Sequence, residues 1–476
     1  MSGAGGAFAP ERRLLTVGLI GLVTAAAFEG MAVPTVLPAV VLDFGGLDLY
    51  GWAFSAFWLT NIIGITLAGS DADRRGPGRA FAIGVALFAA GMIVSGVANG
   101  MPMVIAGRAI QGFGSGAIGS VVYAAIARAY PSSATARMIA LVSSAWVVPG
   151  LVGPALAGTV TEALDWRWVF LGIVPPVIVM GLVVYPQLAR LGPATETATA
   201  AARRSDTNRA LDAVRLAVGS TLLLAALTIG SLPLALLLVV AGGWLVLGAL
   251  RHLLPPGALR LAPGRPAVVA AVFGIAFAFF GTEAFVPLAV VDVRGGSVTL
   301  GGVALSAGAV TWAAASWLQA RAASAGIRRA LVTSGSALIG AGIVITSLVL
   351  VPSMPVLVAA AGWTVAGLGM GLAYSMLALV MLETSEPGQE GFSSSAFQLM
   401  FTLGTAFGAG IGGAIVAVAE SGALELAPAI ATVFGIMVLV ALLTVGISAR
   451  VPRGPSDRPA AAAERPIPSG VPLEHP

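Results

Sequence analysis

Apolar stretches of about 17 to 25 residues follow one another along almost the entire chain, separated by short segments rich in glycine, proline and arginine. Of the 476 residues, 58% are hydrophobic and 10% are charged, whereas soluble domains carry roughly 25% charged residues. A helix of roughly 20 apolar residues is long enough to span a bilayer. The pattern therefore excludes a water-soluble fold and predicts an all-α polytopic membrane protein.

Turn residues and arginines divide the chain into fourteen predicted spans in a six, two, six arrangement. We expect a six-helix N-terminal bundle at 14–190, a cytoplasmic linker at 191–210, a two-helix insert at 211–252, a six-helix C-terminal bundle at 266–449 and a disordered cytoplasmic tail at 450–476. The fifth span is predicted at 136–160 and the seventh at 211–229. The first apolar stretch is too long for a signal peptide and ends without a small-residue cleavage site, so we expect it to be retained.

The basic residues give the predicted spans an orientation. All 25 are arginine, and most fall in alternate loops, for example Arg74, Arg128 and Arg203. Because basic loops stay in the cytoplasm, we expect both termini there, with the chain multi-pass in a plasma membrane of bacterial type. The arginines form no single face, which argues against nucleic acid as a partner. The absence of cysteine excludes disulfides and thiol chemistry.

An internal repeat organises the two predicted bundles. The segment 106-AGRAIQGFGSG-116 matches 361-AGWTVAGLGMG-371, which lies 255 residues later, and Glu29 falls close to Glu283 at nearly the same offset. Two homologous halves with a site between them near the bilayer midplane are typical of secondary transporters.

Glu29 and Glu283 stand alone inside apolar stretches at corresponding places of the two halves. A charged side chain at bilayer depth costs at least a few kcal/mol, so the pair indicates a site that changes protonation or binds a cation. Arg108 in the fourth span needs a partner for the same reason, and Gln111 lies one turn further on the same helix face. A structural carboxylic acid, hydrogen-bonded to a neighbouring helix, is the alternative for each glutamate.

The loop 69-GSDADRRGPGRA-80 resembles the cytoplasmic signature of the major facilitator superfamily, carried here by Gly69, Asp73, Arg74, Gly76 and Arg79. In such a loop the glycines allow a tight turn. The acid either caps a helix or pairs with an arginine across the bundle, which would latch the cytoplasmic side shut. A solvated charged loop is the alternative interpretation.

Three other spans extend the resemblance over essentially the whole chain. The fourth span is similar to the family's second signature in 108-RAIQGFGSG-116. The fifth resembles the antiporter signature in 149-PGLVGPALAG-158, where Gly153 and Pro154 would bend the helix and Gly158 would supply a small packing face. The first, 28-FEGMAVPTVLP-38, resembles the fourteen-span drug:proton antiporter branch, with a glutamate instead of the usual aspartate.

The resemblance implies a major facilitator fold with two six-helix bundles plus two extra central helices, and a transporter rather than an enzyme. The implied function is proton-coupled export of lipophilic, including cationic, drugs or metabolites by alternating access, with Glu29, Glu283 and Arg108 as coupling residues. A small lipophilic substrate and the bilayer are the implied partners, protons take the place of a cofactor, no metal is implied, and a monomer is expected. The candidate cavity residues are Phe28, Trp58, Asn61, Gln111, Trp146, Phe280 and Gln398.

Other functions remain open. An exporter of lipids or lipid-like metabolites would share the fold, and only the fifth-span signature disfavours a symporter for nutrient uptake. A non-transporting receptor or assembly platform would need a large soluble domain or a long interaction loop, which the pattern does not predict. The two histidines, His252 and His475, lie in a loop and in the tail, which excludes a His-ligated zinc site or a Ser-His dyad within the membrane.

Overall fold

The computed structural model describes residues 7–192, 200–322, 327–386 and 389–452, and these contain helices and no β-strand. The N-terminal half consists of α1 (Arg13–Phe44), α2 (Tyr50–Arg75), α3 (Pro77–Gly96), α4 (Met101–Ala129), α5 (Ser132–Ser144), α6 (Val147–Ala163), α7 (Arg167–Leu171) and α8 (Val174–Ala189). The insert pair consists of α9 (Ala200–Ala226) and α10 (Leu232–Leu253). The C-terminal half consists of α11 (Arg265–Glu283), α12 (Val286–Leu288), α13 (Val298–Ala322), α14 (Arg328–Ser347), α15 (Val358–Glu383), α16 (Glu390–Glu420) and α17 (Leu426–Ser448).

Twelve helical segments of the described chain are long and apolar enough to cross a bilayer, and each coincides with a predicted span. The all-α polytopic fold is thereby confirmed. The two remaining predicted spans fall on α5–α6 and on α9, so the total of fourteen stays a prediction. Residues 193–199 of the predicted linker and 453–476 of the predicted tail lie outside the described residues.

Helix α9 starts at Ala200, within the segment predicted as a linker, and continues into the predicted span 211–229. Its sequence carries Arg209, Asp212 and Arg215 before the apolar part. Because of these charges, hydropathy alone did not predict a helix in this segment. A helix that extends beyond the bilayer can carry such charges in water.

The fifth span is interrupted, so that neither α5 nor α6 alone reaches the length of a full crossing. The break lies at Ala145–Trp146. Pro149 explains it, because proline lacks an N–H group and its ring would collide with the carbonyl of Ala145 four residues earlier. Pro154, where the bend was predicted, lies within the continuous helix α6.

Equivalent glycines of the repeat bring equivalent helices together in the two halves. Helix α2 packs on α4, and α13 packs on α15. A methyl group added at Gly112 would lie 2.1 Å from the backbone oxygen of Phe57. One added at Gly367 would lie 2.0 Å from the backbone oxygen of Gly308. Both distances exclude any side chain, so each half depends on a glycine for its closest helix pair.

The halves meet along two seams, one between α2 and α16 and the other between α6 and α13. We call the end of the bundle that carries Arg74, Arg128, Arg265 and Arg328 the arginine-rich end. The opposite end is the one where α2 and α13 begin and where α6 and α16 terminate.

Hydrogen bonds join the two halves at the opposite end. The backbone N–H and the hydroxyl of Thr299 each donate to the Glu162 carboxylate over 2.8 Å. The Tyr50 hydroxyl donates to the backbone oxygen of Ala284 over 2.8 Å. A methyl group at Gly158 would lie 2.5 Å from the Cα of Thr299, so the backbones themselves are in contact there. The structure is therefore closed at this end.

The contacts change toward the arginine-rich end. Ser55 still donates its hydroxyl to the backbone oxygen of Ala406 over 2.9 Å, across the α2–α16 seam. Further along, the ion pairs lie within one half: Asp73 pairs with Arg128 at 2.7 Å in the N-terminal half. In the C-terminal half, Arg265 pairs with Glu386 at 2.6 Å.

Candidate functional site

Glu29 and Arg108 form a buried ion pair inside the N-terminal half. Glu29 lies in the middle of α1 and is 1% exposed, while Arg108 lies on α4 and is 3% exposed. Nη1 of Arg108 donates to Oε1 of Glu29 and, over 2.8 Å, to Oε1 of Gln111. The structure thus brings together three of the residues predicted for the site.

Helix α2 supplies further partners for Arg108. Its Nε donates to the backbone oxygen of Ala53 over 3.1 Å, and its guanidinium carbon lies 4.2 Å from the ring centroid of Phe57. These contacts replace water around a guanidinium that remains protonated. Oε2 of Glu29 and Nε2 of Gln111 are buried without a hydrogen-bond partner in the described part of the chain. The free oxygen can accept a proton while the other oxygen still accepts from Arg108.

Glu283 has a different environment. It ends α11, is partly buried, and has no hydrogen-bond or ion-pair partner within the described ranges. The helix is interrupted directly after it, at Ala284–Phe285, because Pro287 cannot donate to the Glu283 carbonyl. Tyr50 from the other half fills this break, with its ring centroid 5.5 Å from that of Phe285.

The repeat explains why Glu283 lacks a countercharge. The position 255 residues after Arg108 is occupied by Trp363. Its ring lies 4.5 Å from the ring of Phe279 and is fully buried, and its indole N–H has no partner among the described residues. The two halves therefore hold equivalent acids in unequal surroundings, one paired with a cation and the other without a countercharge.

Aromatic side chains from four helices of the C-terminal half form one continuous cluster. We call it the aromatic cluster; it consists of Phe279, Phe280, Trp312, Trp363, Tyr374, Phe397 and Phe401. Among these, Phe280 was predicted, and it lies 5.3 Å from Phe401 between ring centroids. The members on α13, α15 and α16 were missed because they are far apart in sequence. The four-residue spacing of Phe397 and Phe401 on one helix face was the available signal.

The remaining predicted cavity residues are not grouped around Glu29, except for Phe28, which precedes it and faces Gly153. Asn61 is buried and donates to the backbone oxygen of Gly112 over 3.3 Å, where it joins α2 to α4. Trp58 packs on the side of α2 that meets the insert. Trp146, which is 45% exposed, and Gln398 lie at exposed positions.

The predicted gating signature forms the turn between α2 and α3 at the arginine-rich end. Asp73 pairs with Arg128 on α4 and does not cap α3. Because this pair lies within the N-terminal half, the latch stays a prediction. Gly76 has φ of +90°, and a methyl group there would lie 2.6 Å from a backbone oxygen, so this position requires glycine. Gly69 faces the Ser120 hydroxyl; the side chains of Arg74 and Arg79 are exposed.

The predicted antiporter signature lies on the α6–α13 seam. Gly158 contacts the backbone at Thr299, and the backbone oxygen of Pro154 would lie 2.2 Å from a methyl group at Gly302. Gly153 faces α1. The signature is therefore a contact surface between the halves.

Within the described ranges, no group of three or more His, Cys, Asp or Glu side chains could hold a metal ion. The site consists of one ion pair, one isolated acid and an aromatic cluster. Such a set can exchange protons and contact apolar or cationic molecules.

Comparisons with known proteins agree with this architecture. An uncharacterized MFS-type transporter of Mycobacterium tuberculosis is 28% identical over 85% of this chain and 60% of its own length, so the chain spans less than two thirds of that relative. The multidrug transporter protein MdtP of Bacillus subtilis is 26% identical over 85% of this chain and 75% of its own. A probable multidrug-efflux transporter of Mycobacterium tuberculosis is 26% identical over 85% and 87%, respectively.

Solved structures share the fold at low sequence identity. A peptide transporter POT crystal structure has a TM-score of 0.65 at 16% identity, covering 92% of this chain and 95% of that one. A bacterial homologue of the human lysosomal transporter Spinster has a TM-score of 0.61 at 16% identity, covering 93% and 96%. The sequence profile of the Major Facilitator Superfamily matches residues 18–409. The chain therefore belongs to the Major Facilitator Superfamily.

Proposed function

We propose that the protein is a proton-coupled antiporter that exports small lipophilic molecules, including cationic drugs or metabolites, by alternating access. The observation that carries the proposal is the pair of repeat-related acids, Glu29 held by Arg108 and Glu283 held by no countercharge. Two relatives in the family are named a multidrug transporter and a probable multidrug-efflux transporter, which supports the substrate class.

The N-terminal half would hold the coupling proton. Glu29 keeps one oxygen on Arg108 and has the other free. Proton uptake at the free oxygen would leave Arg108 as an unbalanced charge, held by Gln111 and by the backbone of Ala53. That imbalance would favour a rearrangement of α1 against α4, which couples protonation to motion.

The C-terminal half would hold the substrate. Glu283 lies on α11 together with Phe279 and Phe280 of the aromatic cluster, and aromatic faces attract cations as well as apolar surfaces. A lipophilic cation next to Glu283 would supply the missing countercharge. A proton on Glu283 would do the same, so proton and cation would compete for one carboxylate.

The arginine distribution supports an orientation with the arginine-rich end in the cytoplasm, within a bacterial plasma membrane. In that orientation the described state is closed to the outside, and substrate would enter from the cytoplasm or the inner leaflet. At a membrane potential of about 100 mV, inward movement of one charge releases about 2.3 kcal/mol. Protons would be the only coupling ion, and the transporter would work as a monomer.

The test is transport by purified protein in proteoliposomes with an imposed proton gradient, with rhodamine 6G as the cationic probe and Nile red as the neutral one. Glu29→Gln and Glu283→Gln should each lower gradient-driven rhodamine 6G transport at least tenfold. Glu425→Gln, at an exposed residue just before α17, is the matched control and should keep wild-type transport.

Rhodamine 6G exchange without a gradient separates coupling from binding. Glu29→Gln should retain exchange, because its effect is on the coupling proton, whereas Glu283→Gln should weaken it. Wild-type gradient-driven transport in both variants would refute the proposal. Transport of an amphiphile that does not respond to the gradient would favour a lipid exporter instead.

A further inference from the structure

The insert pair, α9 and α10, covers one of the two seams between the halves. Helix α9 packs on α2 of the N-terminal half and on α16 of the C-terminal half, and more extensively on α2. Since these are the helices of one seam, α9 lies along the line where that seam would otherwise face lipid.

Leu224 of α9 fills the seam at the level where α2 and α16 are hydrogen-bonded. It is 3% exposed and packs with Leu59 of α2 and Ala406 of α16. A methyl group at Gly410 would lie 2.6 Å from Leu224 Cδ1 and 2.8 Å from the Ser55 hydroxyl. The glycine thus leaves a notch that the leucine side chain occupies.

Leu216 makes a second apolar layer about 12 Å closer to the arginine-rich end, as the helical rise of eight residues requires. It is fully buried and packs with Ile62 of α2, Leu403 of α16 and Ala249 of α10. This layer lies closer to the arginine-rich end than the hydrogen bond from Ser55 to Ala406. Leu216 of the insert therefore contacts both halves at a level beyond that bond.

The α6–α13 seam differs from the covered one. Its closest contacts run from Gly158 to Gly150, where a methyl group would lie 3.1 Å from Ala309 Cβ. At that level Val310 of α13, which lies about three turns after Thr299 on nearly the same helix face, is 41% exposed. One turn further toward the arginine-rich end, Trp146 is 45% exposed. Apolar side chains on both sides of this seam therefore remain at the surface.

We propose that the insert pair is a seal, carried by the N-terminal half, that keeps lipid out of the α2–α16 seam and leaves the gap between α5–α6 and α13 as the lateral entrance for membrane-dissolved lipophilic molecules. This inference rests on the proposed transport of such molecules. It assigns a function to a helix pair that lies outside the repeat.

The chain contains no cysteine, so introduced cysteines can be cross-linked without background. The first variant links α9 to α2 through Leu59→Cys and Leu224→Cys. The second links α9 to α16 through Leu224→Cys and Ala406→Cys. Linking with a short bis-thiosulfonate should leave rhodamine 6G exchange within twofold in the first variant. It should lower exchange at least tenfold in the second, with recovery on reduction. Any other pattern overturns the assignment of the seal to the N-terminal half.

If a Leu224 variant is inactive before linking, the comparison is repeated in the second layer. The two pairs are then Ile62→Cys with Leu216→Cys, and Leu216→Cys with Leu403→Cys. Rhodamine 6G exchange is measured without a proton gradient. A protein that exchanges the probe but is not proton-coupled would contradict the proposed antiport and leave the test of the seal valid.

The entrance is tested with a matched pair of exposed valines. Val310 of α13 is 41% exposed and Val239 of α10 is 46% exposed. Pyrenylmaleimide attached to Val310→Cys should raise the KM for Nile red at least fivefold, while the same adduct on Val239→Cys should leave it unchanged. Equal effects at the two positions would refute the entrance.

A labelling measurement tests the seal without any transport. Leu403→Cys in lipid vesicles should react at least ten times faster with pyrenylmaleimide when Leu216→Ala and Leu224→Ala are also present. The same labelling rate with and without those alanines would overturn the seal.

Discussion

The buried pair of Glu29 and Arg108 should have a large coupling energy, which a double-mutant cycle can measure. Removal of one partner from a buried pair costs about 3–5 kcal/mol because the other charge stays buried and unpaired. Glu29→Met and Arg108→Met should therefore each lower the free energy of unfolding by that amount. The double variant has no unpaired charge. It loses the hydrogen bonds from Arg108 to Gln111 and to the backbone oxygen of Ala53, which contribute about 0.5–1.5 kcal/mol each.

The coupling energy is the difference between the summed single effects and the double effect, so we expect about 3 kcal/mol or more. Unfolding of the purified protein by SDS in mixed micelles, followed by the fluorescence of the nine tryptophans, supplies the four free energies. The exposed pair of Asp73 and Arg128, with Asp73→Asn and Arg128→Met, is the control and should give less than about 1 kcal/mol. Its carboxylate is 61% exposed, so water screens the interaction.

A pH series adds a second criterion. In Arg108→Met the penalty comes from the negative charge of Glu29, so it should decrease as the pH is lowered and the carboxylate is protonated. In Glu29→Met the penalty comes from the guanidinium, which stays charged, and it should not change. Single effects that add within about 0.5 kcal/mol would contradict the reasoning, because independent sites behave in that way.

Two glycines give further predictions. Gly158→Val should lower rhodamine 6G exchange at least tenfold, because the added Cβ would lie 2.5 Å from the Cα of Thr299 and keep the halves apart; Gly119→Val, which meets nothing within 4 Å, should have wild-type exchange. Gly76→Ala should lower the free energy of unfolding by at least about 1–2 kcal/mol, because φ of +90° strains an L-residue. Normal exchange in the first variant, or unchanged SDS unfolding in the second, would contradict the corresponding contact.

Much of the fold followed from the sequence because a bilayer permits few alternatives. Backbone groups must be satisfied within each segment, so an apolar stretch of sufficient length has to be a helix. The repeat added the pairing of helices, through residues such as Gly112 and Gly367. The interruption before Pro149 was not predicted, because two prolines and three glycines lie within the ten residues 149–158 and sequence alone does not rank them.

The candidate site could be predicted where the sequence places polar side chains inside apolar spans, because burying such side chains costs free energy. Glu29, Arg108 and Gln111 are together because isolated polar groups at bilayer depth must find one another. The aromatic cluster gave no such signal, since Trp312 or Tyr374 can face lipid at no cost. The replacement of Arg108 by Trp363 at the repeat position was visible in the aligned segments, and it indicates which half keeps the charge.

Except for the bond from the Thr299 hydroxyl to Glu162, the side-chain hydrogen bonds described between the halves have a backbone group on one side. Tyr50 and Ser55 both bond to carbonyl oxygens, and a backbone N–H meets Glu162. Each such bond contributes only about 0.5–1.5 kcal/mol net, since water replaces the lost partner once the groups are wetted. In the proposed alternating-access cycle, so few weak bonds would keep the two conformations nearly equal in free energy, and turnover would stay reversible. Because a backbone carbonyl can accept a hydrogen bond whatever side chain its residue carries, substitutions at the acceptor residues need not disturb that balance.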